Sequence, residues 1–371
     1  MSNTYIKINL KNLIQNFNFL KSKISKKTKF MAIVKASGYG SDATEIAKCL
    51  EKNKVDYLSV AYLREAIRLR KNGINSPILV LHPQLDDFKE IIEYNLEPNI
   101  YSFKVLNEFL NCRGQNFNYP IHVKFNTGLN RLGFLYSDVN DLTKIIISKK
   151  INVKYIFSHL AASEDKSETE FTNNQIKLFE KINEKIEENL NRKIDKHLLN
   201  TSGFLNFPEQ EYSMVRSGIG IYGYGNDLVF QKHLLPVVSL ISTISQIHKI
   251  KKGESVGYNR GFIASGDTRI GVVPIGHADG ISRILGNRKG KLLVNNIKCD
   301  IIGNVCMDML MIDVSNLDCD EGDEVIVFDE NNQTAEDFSK YSNTISYEIL
   351  TSVSNRIKRV YISLLVLNKT F

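Results

Sequence analysis

The sequence predicts an α/β protein in which an N-terminal (β/α)8 barrel of the TIM type precedes a mainly β C-terminal domain. Over the first 220 residues, eight short apolar runs typical of buried strands alternate with helical patterns, and this order is the one that closes a barrel of parallel strands. After about residue 235, short β-runs separated by glycine turns replace the alternation. With 371 residues and 43% hydrophobic content, the chain is long enough to bury both cores.

The eight predicted barrel strands end close to turn-forming or polar residues. In chain order they are FMAIV at 30–34, YLSV at 57–60, PILVL at 77–81, LEPNI at 96–100, IHVKF at 121–125, VKYIF at 153–157, HLLN at 197–200 and YSMVR at 212–216. The clearest helix covers 172–193, with an apolar face from Ile176 to Leu190 and a Thr-x-x-Gln capping box at Thr172 to Gln175. Such a helix is expected to cover the outside of the barrel.

The predicted domains are a strand at 1–9 that pairs with the C-terminal domain, the barrel at 10–235, and the mainly β domain at 236–371. The boundary is expected near Pro236, where alternating strand and helix patterns give way to short β-runs. The β-runs of the second domain are VVSLISTISQI, RIGVVPI, GKLLV, CDIIG, MLMIDV and DEVIVF.

Charge and cysteine content favour an enzyme of the cytoplasm over a nucleic-acid or membrane protein. The net charge of +7 includes one dense basic run, KSKISKKTK at 21–29, and this run lacks the arginine and aromatic residues of a nucleic-acid arm. The five cysteines have no C-x-x-C spacing and are expected to be free thiols. The N-terminal residues lack the apolar core of a signal peptide, and no run is long enough to span a membrane.

The polar residues that follow the barrel strands are expected to meet at the C-terminal face, where barrel enzymes carry out their chemistry. They are Lys35, His82, Lys124, Asn126, His159, Asn200, Thr201 and Arg216. They include neither the carboxylate pair of a glycosidase nor the ligand spacing of a zinc hydrolase, so no metal is expected. Lysine, histidine and arginine residues suit an anionic carbonyl cofactor instead.

Lys35 follows the first buried strand and has two interpretations. A lysine at a strand end is often simply solvated, but a desolvated lysine amine also forms Schiff bases with carbonyl groups. The segment RSGIGIYG supplies Gly218 and Gly220, which allow close backbone approach to a phosphate or merely form a tight turn.

Nine segments in order resemble the motifs of the pyridoxal-phosphate-dependent alanine racemases, from about residue 5 to residue 361. They are AIVKASGYG, VKFNTGLNRLG, FSHLAASE, NTSG, VRSGIGIYG, VGYN, PIGHADGISR, GNVCMD and SYEILTSVSNRIKRVY. The resemblance implies that Lys35 holds pyridoxal 5'-phosphate as a Schiff base and serves as the acid/base on the D-alanine face. It also implies that Tyr258 is the acid/base on the L-alanine face, which requires neighbours that favour its phenolate.

The resemblance also implies the supporting residues. His159 and Arg216 form the network around Tyr258, with Arg216 facing the pyridine nitrogen, although a buried histidine without a catalytic role is the alternative for His159. The implied phosphate contacts are Tyr39, Thr201, the amides of Gly218 and Ile219, and the hydroxyl of Tyr347, with Asn200 in the same loop. The implied substrate contacts are Arg131, Met307 and Asp308, and Lys124 matches a lysine that is often carbamylated. An ordinary helix-end salt bridge is the alternative for Arg131.

Two positions depart from the family pattern. His277 stands where PIGYADG has tyrosine, and Asn126 stands where KxDTGM has aspartate. His277 puts substrate access, size selectivity and the response to pH in question. Asn126 removes a negative charge near Lys124 and Arg131.

The function implied is interconversion of L- and D-alanine, an isomerase reaction that supplies D-alanine for peptidoglycan, by a homodimer in which the C-terminal domain caps the partner's barrel. A racemase for another small amino acid such as serine is the alternative from the same class. A decarboxylase of the same fold is expected to carry an acidic residue where this chain has Arg216. A non-catalytic pyridoxal-phosphate carrier would lack the domain that contributes Tyr258.

Overall fold

The structure is a computed structural model that describes residues 4–225 and 228–362. Strand β1 (Tyr5–Asn9) and helix α1 (Leu10–Lys21) precede the barrel. The barrel strands are β2 (Lys29–Ile33), β3 (Tyr57–Val60), β4 (Ile78–Val80), β5 (Glu97–Ile100), β6 (Pro120–Lys124), β7 (Asn152–Phe157), β8 (Asp195–His197) and β9 (Met214–Ser217). Each overlaps one predicted strand, so the prediction of eight strands is confirmed.

The eight strands form a parallel sheet in the order β8-β7-β6-β5-β4-β3-β2-β9. The ladder curves until its two edge strands meet. There the backbone amide of Arg216 donates to the carbonyl of Leu199 at 3.0 Å, and the amide of Ser213 donates to the carbonyl of Lys196 at 3.1 Å. These two bonds bring β8 and β9 together and close the barrel that the alternating pattern predicts.

Helical segments follow the barrel strands, and the longer ones pack apolar side chains on the barrel. They are α2 (Lys35–Tyr39), α3 (Ala43–Lys52), α4 (Leu63–Lys71), α5 (Phe88–Glu93), α6 (Phe103–Arg113), α7 (Val139–Ser148), α8 (Thr169–Leu190), α9 (Thr201–Asn206) and α10 (Leu228–Gln231). In α8, for example, Ile176, Phe179 and Ile182 are buried at helical spacing, as expected of an amphipathic outer helix.

The predicted capping box of α8 is wrong. The helix begins at Thr169, three residues before Thr172, because a 3₁₀ turn capped by the Asp165 side chain leads directly into it. Thr172 is therefore buried inside the helix. The Gln175 side chain instead accepts from the amide of Ala161 at 2.9 Å and donates to the carbonyl of His159 at 3.3 Å, so it braces the loop that carries His159.

The C-terminal part of the chain forms a mainly antiparallel sheet. Its strands are β10 (Val238–Thr243), β11 (Gln246–Ile250), β12 (Ser255–Val256), β13 (Phe262–Ile263), β14 (Thr268–Val273), β15 (Lys291–Val294), β16 (Ile297–Ile302), β17 (Leu310–Asp313), β18 (Glu324–Phe328) and β19 (Lys358–Ile362). Helices α11 (Ala335–Lys340) and α12 (Ser346–Ser352) precede β19. Nine strands pair in the order β11-β14-β17-β16-β15-β18-β10-β1-β19, and β12 pairs with β13.

Strand β1 lies inside this sheet, antiparallel to β10 and parallel to β19. The chain therefore starts in the C-terminal sheet and enters the barrel through α1. The domain limits of 1–9, 10–235 and 236–371 stay a prediction, and residues 1–3 and 363–371 of those ranges lie outside the described residues.

Three further observations concern the described ranges. No helix within 4–225 and 228–362 is long and apolar enough to cross a bilayer. The same residues contain no group of three His, Cys, Asp or Glu side chains that could hold a metal ion. All five cysteines are free thiols.

Candidate active site

A cavity of about 580 Å³ opens at the C-terminal ends of the barrel strands. Most of the residues predicted for the site line it, although they come from widely separated parts of the chain. They are Lys35, Tyr39, Lys124, Arg131, His159, Asn200, Thr201, Arg216, Gly218, Ile219 and Tyr347, joined by His82. The barrel therefore collects the predicted polar residues at one face, as expected for parallel strands that end together.

Lys35 follows the end of β2 and leads into an unusual left-handed turn. Ala36, Ser37 and Tyr39 have φ values of 52°, 56° and 51°, and the glycines at 38 and 40 are also positive. Each such non-glycine residue costs roughly 1–2 kcal/mol, and strain of this kind concentrates at functional sites. Burial, reinforced by the charge of Arg131, lowers the pKa of Lys35, so its amine loses its proton more easily than a solvated lysine does.

The left-handed turn places Tyr39 beneath the cavity. Its ring stacks on Tyr222 with centroids 4.5 Å apart, and the ring of Tyr347 lies 6.0 Å away. The Tyr39 hydroxyl lies so close to Gly218 that a Cβ at that position would overlap it. Glycine at 218 is thus required by packing, and it leaves the backbone of the β9 turn open to the cavity.

The cavity is strongly cationic. Lys35, Lys124, Arg131 and Arg216 all line it, and none of its described lining residues is Asp or Glu. Burial, aided by Arg131, Arg216 and Lys35, lowers the pKa of Lys124 to about 8. Burial alone lowers the pKa of Arg216 to about 9, which still leaves the guanidinium charged near neutrality. Binding of an anionic ligand would balance this positive charge.

Arg216 is held rigidly by backbone carbonyls and an imidazole. Its Nη2 donates to the carbonyls of Ser158 at 2.8 Å and Leu198 at 2.9 Å, and lies 3.1 Å from Nδ1 of His159. Burial and the charge of Arg216 lower the pKa of His159 well below its usual range. His159 is therefore neutral, and its Nδ1 shares the two hydrogens of Arg216 Nη2 with the two carbonyls, which holds the imidazole at the cavity wall.

A buried polar chain behind Arg216 escaped the sequence analysis. Nη1 of Arg216 hydrogen-bonds Nδ1 of His197. Nε2 of His197 lies 3.2 Å from Nδ1 of His122, and Nε2 of His122 lies 2.7 Å from Oε2 of Glu97. These residues lie within strands rather than after them. A charged or imidazole side chain inside an apolar run, as in LEPNI and IHVKF, is the signal that could have found them.

The loop from 126 to 133 brings Arg131 to the cavity mouth. Oδ1 of Asn126 accepts from the amides of Gly128 at 3.1 Å and Asn130 at 3.0 Å, while its Nδ2 donates to Oδ1 of Asn130 at 2.8 Å. A carboxylate at 126 could accept the two amides but could not donate to Asn130. The asparagine thus has a partner of its own, in addition to lowering the negative charge near Arg131.

The Asn200 side chain has a structural role. Its Oδ1 accepts from the amide of Gly203 and from the hydroxyl of Ser163, both at 2.8 Å. It therefore caps α9 and fixes the loop that carries Thr201. Thr201 is buried and its hydroxyl lies 3.0 Å from that of Ser217.

Three predicted residues lie away from the cavity. Tyr258, Met307 and Asp308 line an open groove in the C-terminal domain, here called the C-terminal groove, together with His248, Ile250, Ser255, Val256, Gly257, Ile270, Val272, Cys306, Met309 and Met311. Tyr258 is 73% exposed and Met307 is 59% exposed. Within one chain, the barrel cavity therefore lacks the predicted second acid/base.

Arg356 also escaped the sequence analysis. Its guanidinium donates to Asp279 through Nε at 2.6 Å and Nη2 at 2.9 Å, and Nη2 donates to Asp308 at 2.8 Å. The arginine thus fixes one edge of the C-terminal groove. The turn that contains Asp279 also carries His277, which is exposed and lines a smaller cavity of about 280 Å³ with Phe338 and Ile349. In a single chain His277 lines neither the barrel cavity nor the groove, although its amide donates to the carbonyl of Cys306 at 2.9 Å.

Comparison with known proteins agrees with this architecture. The family model described as "Alanine racemase, N-terminal domain" matches residues 8–226, and "Alanine racemase, C-terminal domain" matches residues 237–361. The alanine racemase of Clostridium tetani is 36% identical over 96% of this chain and 95% of its own.

Solved structures give the same result. The alanine racemase of Clostridium difficile 630 superposes with a TM-score of 0.91 at 33% identity, over 98% of this chain and 96% of that one. The alanine racemase of Bartonella henselae with covalently bound pyridoxal phosphate superposes with a TM-score of 0.89 at 29% identity, over 98% of this chain and all of that one, a coverage of 100%. The two family models, the sequence relatives and the superpositions together cover both domains, and the chain belongs to the alanine racemase family.

Proposed function

We propose that this protein interconverts L- and D-alanine with pyridoxal 5'-phosphate bound at Lys35, and that it supplies D-alanine for peptidoglycan. The single observation that carries the proposal is the barrel cavity, where a partly buried lysine with a lowered pKa faces two arginines and a second lysine without an acidic lining residue among those described. A relative of known structure, from Bartonella henselae, holds pyridoxal phosphate covalently.

The cavity fits an anionic, aromatic cofactor. Gly218 leaves backbone exposed next to the Tyr39 hydroxyl, and Thr201, Ile219 and Tyr347 line the same end. We assign the phosphate to this end, where neutral donors and backbone amides would hold it. When bound, pyridoxal phosphate supplies a carbonyl carbon that an amine can capture and a conjugated ring that withdraws electrons from the substrate Cα.

Lys35 is assigned two tasks, to hold the cofactor and to move the α-proton on the D-alanine face. Both tasks need an amine that is neutral part of the time, and the lowered pKa of Lys35 favours that form. Arg131, at the cavity mouth, is placed to bind the substrate carboxylate. The charge of Arg131 also lowers the pKa of Lys35, so a carboxylate bound to Arg131 would raise that pKa again.

Arg216 is assigned to the ring nitrogen. Its hydrogen bonds to Ser158 and Leu198 fix the guanidinium plane, and a guanidinium only donates, so at the ring nitrogen it would disfavour the protonated form that a carboxylate would stabilise. Held by Arg216, the bound cofactor would be a weaker electron sink than one held by a carboxylate. This residue choice favours racemisation over decarboxylation or transamination.

We assign Tyr258 of one chain to the L-alanine face of the site in a second copy of the chain. It lies on the C-terminal groove with Met307 and Asp308 and not in its own chain's cavity. A two-fold dimer in which each groove faces the other copy's barrel gives two equivalent complete sites. We therefore propose a homodimer with shared sites.

Two further assignments complete the proposal. Lys124, with its pKa lowered to about 8, has a substantial neutral fraction near neutrality, which is the form that reacts with carbon dioxide, so we propose that it is carbamylated. Five free cysteines are typical of a reducing compartment, and we place the enzyme in the cytoplasm.

Chiral analysis tests the function. Each L-amino acid of a panel is incubated with the purified, cofactor-loaded protein, and both enantiomers and any amine product are quantified. We expect D-alanine at the highest rate, and Lys48→Ala, an exposed change on α3, should match the unchanged protein. A different preferred amino acid, an amine product, or no turnover would identify another racemase, a decarboxylase or a carrier, respectively.

A further inference from the structure

The interior of the barrel contains a continuous row of polar side chains instead of apolar layers only. It joins Glu97 on β5, His122 on β6, His197 on β8 and Arg216 on β9. His122 and His197 are fully buried, and Glu97 and Arg216 are only 7% and 4% exposed. The rings of Tyr155 and Phe157 pack on the two imidazoles, with Phe157 stacked on His197 at 4.6 Å. These rings exclude water from the row.

A buried row of polar side chains destabilises the folded state unless every donor meets an acceptor. The hydrogen bonds here have one consistent direction. Arg216 has only N–H donors, so Nδ1 of His197 must accept from it. A neutral His197 then carries its proton on Nε2 and donates to Nδ1 of His122. His122 in turn carries its proton on Nε2 and donates to Glu97.

The charges agree with this direction. Burial, despite the adjacent carboxylate, lowers the pKa of His122, and burial with the nearby Arg216 lowers the pKa of His197 well below its usual range. Burial raises the pKa of Glu97, but hydrogen bonds from His122 and Lys154 outweigh it and leave the pKa low. The row therefore has a cation at one end, two neutral rings and an anion at the other.

We propose that Glu97, acting through His122 and His197, is a positioning residue that sets the orientation of Arg216 at the cofactor ring. The carboxylate only accepts and Arg216 only donates, so both ends of the row require the Nε2–H form of both imidazoles, with Nδ1 of His197 as the acceptor for Arg216. Oriented in this way, Arg216 presents its remaining donors to the cavity. The catalytic part of the proposal rests on the proposed function, whereas the tautomer part does not.

A salt bridge that only stabilises the fold is the competing explanation for Glu97. Lys154 Nζ lies 2.6 Å from Oε1, and its side chain is 35% exposed at the other end of the barrel. That bridge uses one carboxylate oxygen, while the bond to His122 uses the other. Because Arg216 by itself already requires the Nε2–H form, the tautomers of the unchanged protein test the direction of the hydrogen bonds, and removal of the carboxylate separates the two explanations for Glu97.

The experiment reads the imidazole tautomers by ¹⁵N NMR of histidine-labelled, cofactor-free protein, with resonances assigned by single substitutions among the seven histidines. The unchanged protein should show neutral His122 and His197, both protonated on Nε2. A doubly protonated ring, or a proton on Nδ1 of either, would overturn the proposal. This result needs no substitution at Glu97, so it stands even where a Glu97 variant fails to fold.

Glu97→Gln then tests the role in catalysis, because a glutamine can donate as well as accept, so only the Arg216 end of the row still requires the Nε2–H form. We expect a minor population of the Nδ1–H form at His122 and His197, in which the bond from Arg216 to His197 is broken, a fall in kcat of about tenfold, and a KM for alanine within twofold of the unchanged value. Tyr57→Phe is the matched control, since it removes a buried hydroxyl 3.3 Å from Oε2 of Glu97 but leaves the row intact.

The control should keep both tautomers and kcat within twofold. Tautomers and kcat in Glu97→Gln equal to those of Tyr57→Phe would show that the carboxylate only stabilises the barrel. If the protein shows the predicted tautomers but does not racemise any amino acid, the proposed function and the catalytic role of the row are both refuted. The direction of the hydrogen bonds would still be established.

Discussion

The barrel cavity and the C-terminal groove carry the two halves of the predicted chemistry in very different surroundings. The cavity is recessed, and its key cation Arg216 is buried and held by two backbone carbonyls. The groove is open, and its chemistry-bearing residue Tyr258 is 73% exposed beside the exposed Met307 and Met309. Exposed apolar side chains around a reactive group mark a surface that another molecule covers. The contrast supports the proposal that each copy of the chain carries two half-sites, one completed by the barrel and one by the groove of a second copy.

Removing the lysine from the barrel half should give the largest effect. We expect Lys35→Ala to lose about 10⁴-fold in racemase activity, the upper end of what a positioned base contributes, and to lose covalent cofactor. Borohydride reduction and peptide mapping of the unchanged protein should place the cofactor on Lys35, and Lys48→Ala should behave as the unchanged protein does. Cofactor fixed on any other lysine would refute the assignment.

Removing the phenol from the groove half should break only one direction of the reaction. Tyr258→Phe should lose about 10²-fold or more in exchange of the L-alanine α-hydrogen with solvent deuterium. Exchange from D-alanine, which depends on Lys35, should persist. Proton NMR of each enantiomer in deuterated buffer measures both rates, and equal losses would contradict the two-base account.

A substitution at Gly218 tests whether the cavity is a pre-formed anion site. Gly218→Ala puts a methyl group against the Tyr39 hydroxyl and should weaken pyridoxal-phosphate binding by about tenfold, since one displaced contact of this kind is worth about 1.4 kcal/mol. Gly266→Ala is the matched control, because no atom lies within 4 Å of the added Cβ there. Absorbance titration of cofactor-free protein gives both affinities, and equal affinities would remove Gly218 from the phosphate site.

Lys124 tests the charge of the cavity through the free energy of unfolding and not through catalysis. Its pKa of about 8 lies below the ordinary 10.5, so below pH 8 the folded protein carries a buried cation that disfavours folding. Between pH 8 and 10.5 the folded state loses the proton first and the penalty disappears. Lys124→Met should therefore stabilise the cofactor-free protein at pH 7 by about 1–3 kcal/mol, with the gain fading as the pH approaches 10.5.

Urea unfolding in carbonate-free buffer at pH 7 and pH 10 measures this change. Lys144→Met, at an exposed position paired with Asp141, should differ from the unchanged protein by less than about 0.5 kcal/mol. A Lys124→Met variant that is less stable at pH 7 would show that the ammonium group is paired in solution.

The sequence predicts the barrel well because its strands are short apolar runs, and such runs need no long-range information to be recognised. It also finds residues that follow strand ends, such as Lys35 and His159. It misses polar residues inside strands, such as Glu97 and His122, because an isolated polar residue in an apolar run looks like a defect until its cross-strand partners are known. The left-handed turn after Lys35 is hidden for a similar reason, since only its two glycines signal it, while Ala36 and Ser37 are held there by the surrounding fold.

The shared site is the central claim, and mixing two inactive variants tests it most directly. Lys35→Ala lacks the barrel base and Tyr258→Ala lacks the groove base, so each homodimer should be inactive. After co-refolding with random exchange, about half of the dimers are mixed and one of their two sites holds both residues, so roughly a quarter of the unchanged activity should return. Mixed dimers that form, as shown by two distinguishable tags purified in sequence, yet remain inactive would contradict the account and leave Tyr258 to serve its own chain or no site.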